Sequence, residues 1–206
     1  MRVKICGITN LDDALAACDA GADALGFNFA EEAKAKKRYI APEAAAEIIC
    51  RLPPFVTTVA VTVNGSLDQL REYLDMVDLV QLHGEEPPEL CAAVAMRAIK
   101  VFRVSTDFDP RKVLEYPSVA YLLDAAVPGQ RGGSGATFDW KTARAAAALG
   151  KPVILAGGLT PENVREAIEA ARPQAVDTSS GVEIVPGKKD HERIRSFVRN
   201  AKALLS

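Results

Sequence analysis

The stretch Val3-Lys4-Ile5-Cys6-Gly7-Ile8-Thr9-Asn10 decides how this chain is read. An apolar run ends in a cysteine, a glycine follows, and Thr9 and Asn10 stand where a helix N-cap belongs. That order puts Cys6 at the carboxyl end of a buried strand, the end that carries the chemistry in an open α/β sheet or an α/β barrel. A distant stretch, Val153-Ile154-Leu155-Ala156-Gly157-Gly158-Leu159-Thr160, repeats the pattern, with Asn163 at the place of Asp12 and Ala167 at that of Ala16. The two read as one βα unit put to different uses. The first copy carries a thiol at the turn, and the second carries an extra glycine suited to an anion.

Working outward, further apolar runs predict strands over residues 22–29, 55–63, 78–82, 98–104, 119–123 and 175–177. The run at 55–63 is the densest in β-branched residues. Helical stretches are expected between them, near 11–20, 42–50, 67–74, 87–95, 110–114, 139–149, 161–171 and 190–204. Gly21 stops the first helix, Pro42 opens the second and Ser66 caps the third. Strands that read as solid apolar runs fit a parallel sheet covered by helices. Eight βα units with no linker between them predict a single (β/α)8 barrel domain spanning residues 1–206. A doubly wound open sheet is the alternative. It is disfavoured because no GxGxxG follows the first strand.

Composition narrows the classes. At 49% hydrophobic, the 206 residues supply an ample core, and a net charge of −2 argues against a broad nucleic-acid or anionic-membrane footprint. No apolar segment approaches the roughly 20 residues needed to span a bilayer. The four cysteines, Cys6, Cys18, Cys50 and Cys91, show neither CxxC pairing nor a Cys/His cluster, so no metal site and no disulfide framework is expected. Cys18, Cys50 and Cys91 fall on helix faces and read as packing residues. A reduced, cytoplasmic protein follows. It would act on a small phosphorylated molecule, without a cofactor, as a monomer or homodimer.

The candidates for chemistry sit at strand ends. Asp124 closes an apolar strand, and a carboxyl group in such surroundings is kept protonated to higher pH, as a general acid requires. Taken alone it reads as a helix cap or a loop salt bridge before it reads as an acid. Cys6 is either a thiolate base or nucleophile, or a small buried hydrophobe. Gly157 and Gly158 in one turn, with Ser179, Ser180 and Gly181 in the next, suit a phosphate held by backbone N–H groups. Asp177, His83 and Arg103 are candidate pocket liners, as is Asn28. Arg38, in the basic loop after the second strand, offers a two-pronged grip on a carboxylate or is a solvated charge. The run 129–135, with Gly133 and Gly135, is a lid, a further phosphate cradle or a surface loop. A base and an acid beside an anion cup suit proton-shuttling chemistry such as isomerisation.

Five motifs taken together carry a resemblance. They are Lys4-Ile5-Cys6-Gly7-Ile8-Thr9; Val80-Gln81-Leu82-His83-Gly84; Gly132-Gly133-Ser134-Gly135 with Phe138-Asp139-Trp140; Leu155-Ala156-Gly157-Gly158-Leu159; and Val176-Asp177-Thr178-Ser179-Ser180-Gly181-Val182-Glu183. In this order along the whole chain they resemble the phosphoribosylanthranilate isomerase family of tryptophan biosynthesis. The resemblance implies a (β/α)8 barrel and a cofactor-free Amadori rearrangement. It implies Cys6 as general base, Asp124 as general acid and Arg38 as the holder of the anthranilate carboxylate, with Asp177 on sugar hydroxyls. The segment 30–40 departs from the family's usual proline- and serine-containing version, 61–64 lacks its phenylalanine, and Thr178 replaces a common valine. The related aldose–ketose isomerase of histidine biosynthesis uses an aspartate where Cys6 stands. A catalytically silent phosphate-binding barrel would have lost one member of the acid–base pair.

Overall fold

The computed structural model describes residues 1–125 and 139–203. Eight strands run in chain order around a closed parallel barrel: β1 (Arg2–Cys6), β2 (Ala24–Asn28), β3 (Thr57–Thr62), β4 (Leu79–Leu82), β5 (Ala98–Val104), β6 (Ala120–Ala125), β7 (Val153–Leu155) and β8 (Ala175–Thr178). Closure comes from β1 pairing with β8, Lys4 beside Asp177, so no sheet edge is left open in the barrel. The expected (β/α)8 architecture is the observed one.

Strand alternation sorts the side chains into two layers. Val59, Ile99, Val101, Leu122, Ile154 and Ala156 form a small apolar cluster of their own inside the barrel. The opposite faces, including Val3, Ile5, Leu25, Phe27, Leu123 and Val176, join the larger core under the helices. The same period carries Lys4 and Cys6 inward on β1, Asp124 on β6 and Asp177 on β8. The interior is therefore hydrocarbon in its middle and polar toward the carboxyl ends of the strands.

Helices α1 (Leu11–Asp19), α2 (Pro42–Ile49), α3 (Leu67–Leu74), α4 (Pro88–Ala93), α5 (Trp140–Ala147), α6 (Val164–Ala171) and α7 (His191–Lys202) cover the outside. Their starts follow the local chemistry. Asn10 caps α1 by accepting from the Asp13 N–H, and Ser66 and Gln69 make a reciprocal capping box on α3. Asp190 accepts from the N–H groups of Glu192 and Arg193.

Several local expectations change. The segment after β2 is a 3-10 helix, Glu31–Lys36, rather than an open loop. Between β5 and β6 the covering element is also a 3-10 helix, Pro110–Glu115. Phe55 lies outside β3, fully exposed at φ 70°, since Pro53 and Pro54 delay the strand to Thr57. Cys50 is an exposed C-cap rather than a packing residue, whereas Cys91 is buried. A hairpin absent from the sequence reading, β9 (Glu183–Val185) with β10 (Lys188–Lys189), stands between β8 and α7. The run 129–135, with Gly133 and Gly135, lies outside the described residues.

Among the described residues, no helix is long and apolar enough to cross a membrane and no group of three or more Cys, His, Asp or Glu is placed to hold a metal ion.

Candidate active site

A cavity of about 360 Å³ opens at the carboxyl ends of the strands. Cys6, Asn28, His83, Asp124 and Asp177 line it, together with Gly157, Gly158, Ser179 and Ser180 from the turns after β7 and β8. Arg38 reaches the same space from beyond β2. Residues from six separate parts of the chain thus meet at one mouth.

Cys6 is 9% exposed at the top of β1. Burial pushes its thiol above the usual range, and the neighbouring Lys4 ammonium opposes that rise. The sulfur has room only because Gly26 faces it: a Cβ there would lie 2.7 Å from Cys6 Sγ and 3.1 Å from Lys4 Nζ. Gly26→Ala is therefore expected to displace the sulfur while leaving the barrel folded. If Cys6 is the base, kcat should fall by about 10²-fold, the effect of a shift near 1 Å at a reacting group. Steady-state kinetics alongside circular dichroism measures both halves, and unchanged kcat would show that the sulfur's place does not matter.

Asp124 faces the cavity from β6 with 5% exposure. Its pKa is raised from 3.8 to about 6, first by burial and then by the Asp177 carboxylate, against a backbone N–H at Ala125. His83 stands 3.7 Å away, Nε2 to Oδ2, too far for a hydrogen bond. Burial and the Lys4 charge push His83 down to about 4, so at neutral pH it is an uncharged ring beside the carboxyl. Two buried polar atoms on this wall, His83 Nε2 and Gln81 Oε1, have no hydrogen-bond partner among the described residues. A buried polar atom aimed into a cavity without a partner is the mark of a place where a ligand or water belongs. Gln81 did not stand out in the sequence because it sits within an otherwise apolar strand.

The two turns beyond β7 and β8 are built as one unit. Gly157 and Gly158 both take left-handed φ, 83° and 62°. Thr178 Oγ1 donates to the Leu159 carbonyl at 2.7 Å, so the threonine ties the two turns together. Gly181 packs so closely that a Cβ would fall 1.9 Å from that same carbonyl oxygen. Side chains draw three turn carbonyls outward: Asn163 Nδ2 donates to Gly158 O at 2.9 Å, Lys189 Nζ to Ser179 O at 3.1 Å, and Arg193 Nε to Gly181 O at 2.9 Å. In a planar trans peptide the N–H points opposite to the carbonyl. The amides of Leu159 and Ser180, both in the cavity wall, are thereby turned away from Asn163 and Lys189. The sequence reading notes Asn163 only as the counterpart of Asp12 in the repeated unit, and it misses Lys189 and Arg193.

Arg38 is 7% exposed, so the solvated-charge alternative is set aside. Glu183 grips it with two oxygens, Nη2 to Oε2 at 2.7 Å and Nε to Oε1 at 2.9 Å, and also accepts from Lys189 Nζ at 3.0 Å. Burial pushes the Glu183 carboxyl up, but the Arg38 hydrogen bonds and the Lys189 charge outweigh it and hold the group below its ordinary value. Arg103 corrects an expectation. It turns out to Glu85 at the rim, where the pair is solvated, and does not line the cavity.

A parallel (β/α)8 barrel with a thiol, a carboxyl of raised pKa and two glycine turns around one mouth is the architecture of an acid–base enzyme for a small anionic substrate. Comparison with known proteins makes the class specific. The family model of N-(5'-phosphoribosyl)anthranilate (PRA) isomerase matches residues 3–200. The N-(5'-phosphoribosyl)anthranilate isomerase of Geobacter metallireducens is 56% identical over 98% of this chain and 100% of its own. The crystal structure of the Thermotoga maritima phosphoribosyl anthranilate isomerase superposes with a TM-score of 0.89 at 47% identity, covering 98% of this chain and 99% of that one. A phosphoribosyl anthranilate isomerase in complex with reduced 1-(o-carboxyphenylamino)-1-deoxyribulose 5-phosphate superposes with a TM-score of 0.85 at 45% identity, covering 98% and 99%. The chain belongs to the N-(5'-phosphoribosyl)anthranilate isomerase family, the aldose–ketose isomerases of tryptophan biosynthesis.

Proposed function

We propose that this chain, acting as one barrel domain over residues 1–206, converts N-(5-phosphoribosyl)anthranilate to 1-(o-carboxyphenylamino)-1-deoxyribulose 5-phosphate with Asp124 as general acid and Cys6 as general base. Asp124 gives its proton to the furanose ring oxygen. The C1′–O bond breaks as the anilino nitrogen lone pair forms a C1′=N⁺ Schiff base. The Cys6 thiolate then takes the C2′ proton. The C–H electron pair becomes the C1′=C2′ bond, and the C=N π pair returns to nitrogen. The resulting enolamine tautomerises to the ketone, C1′ gaining a proton as the C2′ hydroxyl loses one. No electrons leave the substrate, so acid–base groups suffice.

The observation that carries this reading is that Cys6, from β1, and Asp124, from β6, line one cavity beside the β7 and β8 turns. The raised pKa of Asp124 supports the acid, because a carboxyl near 6 keeps a protonated fraction at working pH. The substrate phosphate is assigned to the amides of Gly157, Gly158, Ser179, Ser180 and Gly181, and its anthranilate carboxylate to Arg38. His83 forms the wall beside Asp124, and Asp177 faces the sugar hydroxyls.

A cytoplasmic setting, as a monomer or homodimer, suits this activity. One related structure is of monomers made from the dimeric Thermotoga maritima enzyme, and the exposed Phe55 here is an apolar group available to a second copy.

The test is loss of phosphoribosylanthranilate fluorescence on adding the protein, repeated with inorganic phosphate present. Turnover is expected, with phosphate raising KM and leaving kcat unchanged. No fluorescence loss would end the assignment, and turnover indifferent to high phosphate would end the anion cup.

A further inference from the structure

Below Cys6 lies a buried charged pair whose lysine the proposed reaction leaves without a task. Lys4 and Asp177 project into the barrel from β1 and β8, and Lys4 Nζ donates to Asp177 Oδ1 at 2.7 Å with both side chains buried. Hydrocarbon surrounds the middle of the barrel, in Val59, Ile99, Val101 and Leu122. An ion pair in such a place adds little stability over well-packed apolar residues, so its presence asks for another reason. Strand alternation puts Lys4 two residues beneath Cys6 on the same interior face. The ammonium and the sulfur converge on the space kept free by Gly26, 3.1 Å and 2.7 Å from the point where a Cβ would be. The Lys4 charge therefore acts on two groups, the Asp177 carboxylate that it hydrogen-bonds and the Cys6 sulfur beside it.

We propose that Lys4 is a positioning residue that stabilises the Cys6 thiolate against its burial, and that Asp177 is its counterweight, taking up part of the ammonium's charge. The inference rests on Cys6 being the base of the proposed reaction. Burial drives the thiol upward, Lys4 draws it down and Asp177 works against Lys4. In return, Asp177 and Cys6 more than offset burial at Lys4 and keep it protonated. The other groups on this side of the barrel are His83 from beyond β4, neutral by burial; Asp124 from β6; Arg103 from β5, paired with Glu85; and Lys189 from β10, held by Glu183. The remaining interior neighbours, Gly26 and Asn28 on β2, Val59 and Val61 on β3 and Ile154 on β7, do not titrate.

The two members of the pair make opposite forecasts for the sulfur. In Lys4→Met, Cys6 loses its cation and keeps the carboxylate nearby. Its titration should move up by at least about one unit, so alkylation near neutral pH slows about tenfold. In Asp177→Asn the ammonium turns wholly to the sulfur, titration moves down and alkylation quickens several-fold. The measurement is iodoacetamide labelling of the full chain against pH, read on the Cys6 peptide, with exposed Cys50 as internal control. A merely structural role for the pair would loosen the barrel and shift both variants the same way. Shifts of the same sign, or none in either variant, overturn the proposal. Should Lys4→Met fail to fold by circular dichroism, Asp177→Asn decides alone, and an unchanged or raised titration sinks the idea. Labelling reads the sulfur itself, whereas turnover of Cys6→Ala reads whether that sulfur is the base, so the two claims fail separately.

Discussion

Cys6→Ala is expected to lose turnover by about 10²–10⁴-fold while still binding substrate, the range ascribed to one general acid–base group. Asp124→Asn is expected to do the same. Both changes remove a proton-transfer group used in the transition state and leave the anion cup and Arg38 in place, so kcat should fall with KM little altered. The double variant should be scarcely worse than either single one, because the two groups act on successive parts of one proton circuit. Stopped-flow fluorescence on single turnovers, with titration of a non-reacting product analogue, separates binding from chemistry. Turnover near the parent's in either single variant would remove that residue from the mechanism. Loss of binding along with turnover would instead point to a collapsed pocket.

The second large effect concerns stability and runs the other way. Asp124 carries a pKa of about 6 in the folded barrel against 3.8 for the free group. The native state thus binds this proton more tightly than the unfolded chain does. The contribution is fully present below the unfolded value, declines as pH rises from about 4, and is lost once pH passes the folded value near 6. The size of the shift corresponds to about 3 kcal/mol between the two limits. A carboxamide at this position cannot ionise, so Asp124→Asn should be about as stable as the parent near pH 4 and about 2–3 kcal/mol more stable above pH 7. Urea unfolding of both proteins across that range, in phosphate-free buffer, measures the gap. A gap that does not widen with pH would mean that Asp124 is not strained by its burial. The residue expected to be indispensable for turnover is then one the fold would be steadier without, as a tuned acid in an apolar site should be.

Particular residues show why the fold was legible and parts of the site were not. The β1 and β7 stretches could be read because each packs an apolar run, a glycine and a capping position into a few residues, and those are local decisions. Cys6 and Asp124 were legible for the same reason: a strand's last inward residue can be counted along the chain. Phe55 was misassigned to a strand because its apolar character is local, whereas the two prolines before it decide the strand's start. Arg103 was misjudged because its strand position says where the Cα lies and not where a long, flexible side chain leads. Arg38 stood open between two readings until Glu183, 145 residues away, closed around it. The supporting roles of Asn163, Lys189 and Arg193 stayed hidden because each acts through a backbone carbonyl, and such a hydrogen bond leaves no trace in composition or period.

The Glu183 bracket on Arg38 and Lys189 has a consequence for how tightly a substrate could be held. An unbridled arginine samples many rotamers, and fixing it on a ligand surrenders roughly 2 kcal/mol of side-chain entropy. Here the guanidinium is already immobilised by folding, on two carboxylate oxygens that leave Nη1 outside their grip. A carboxylate arriving at that edge meets a rigid fork, so its docking free energy is spared that entropic deduction.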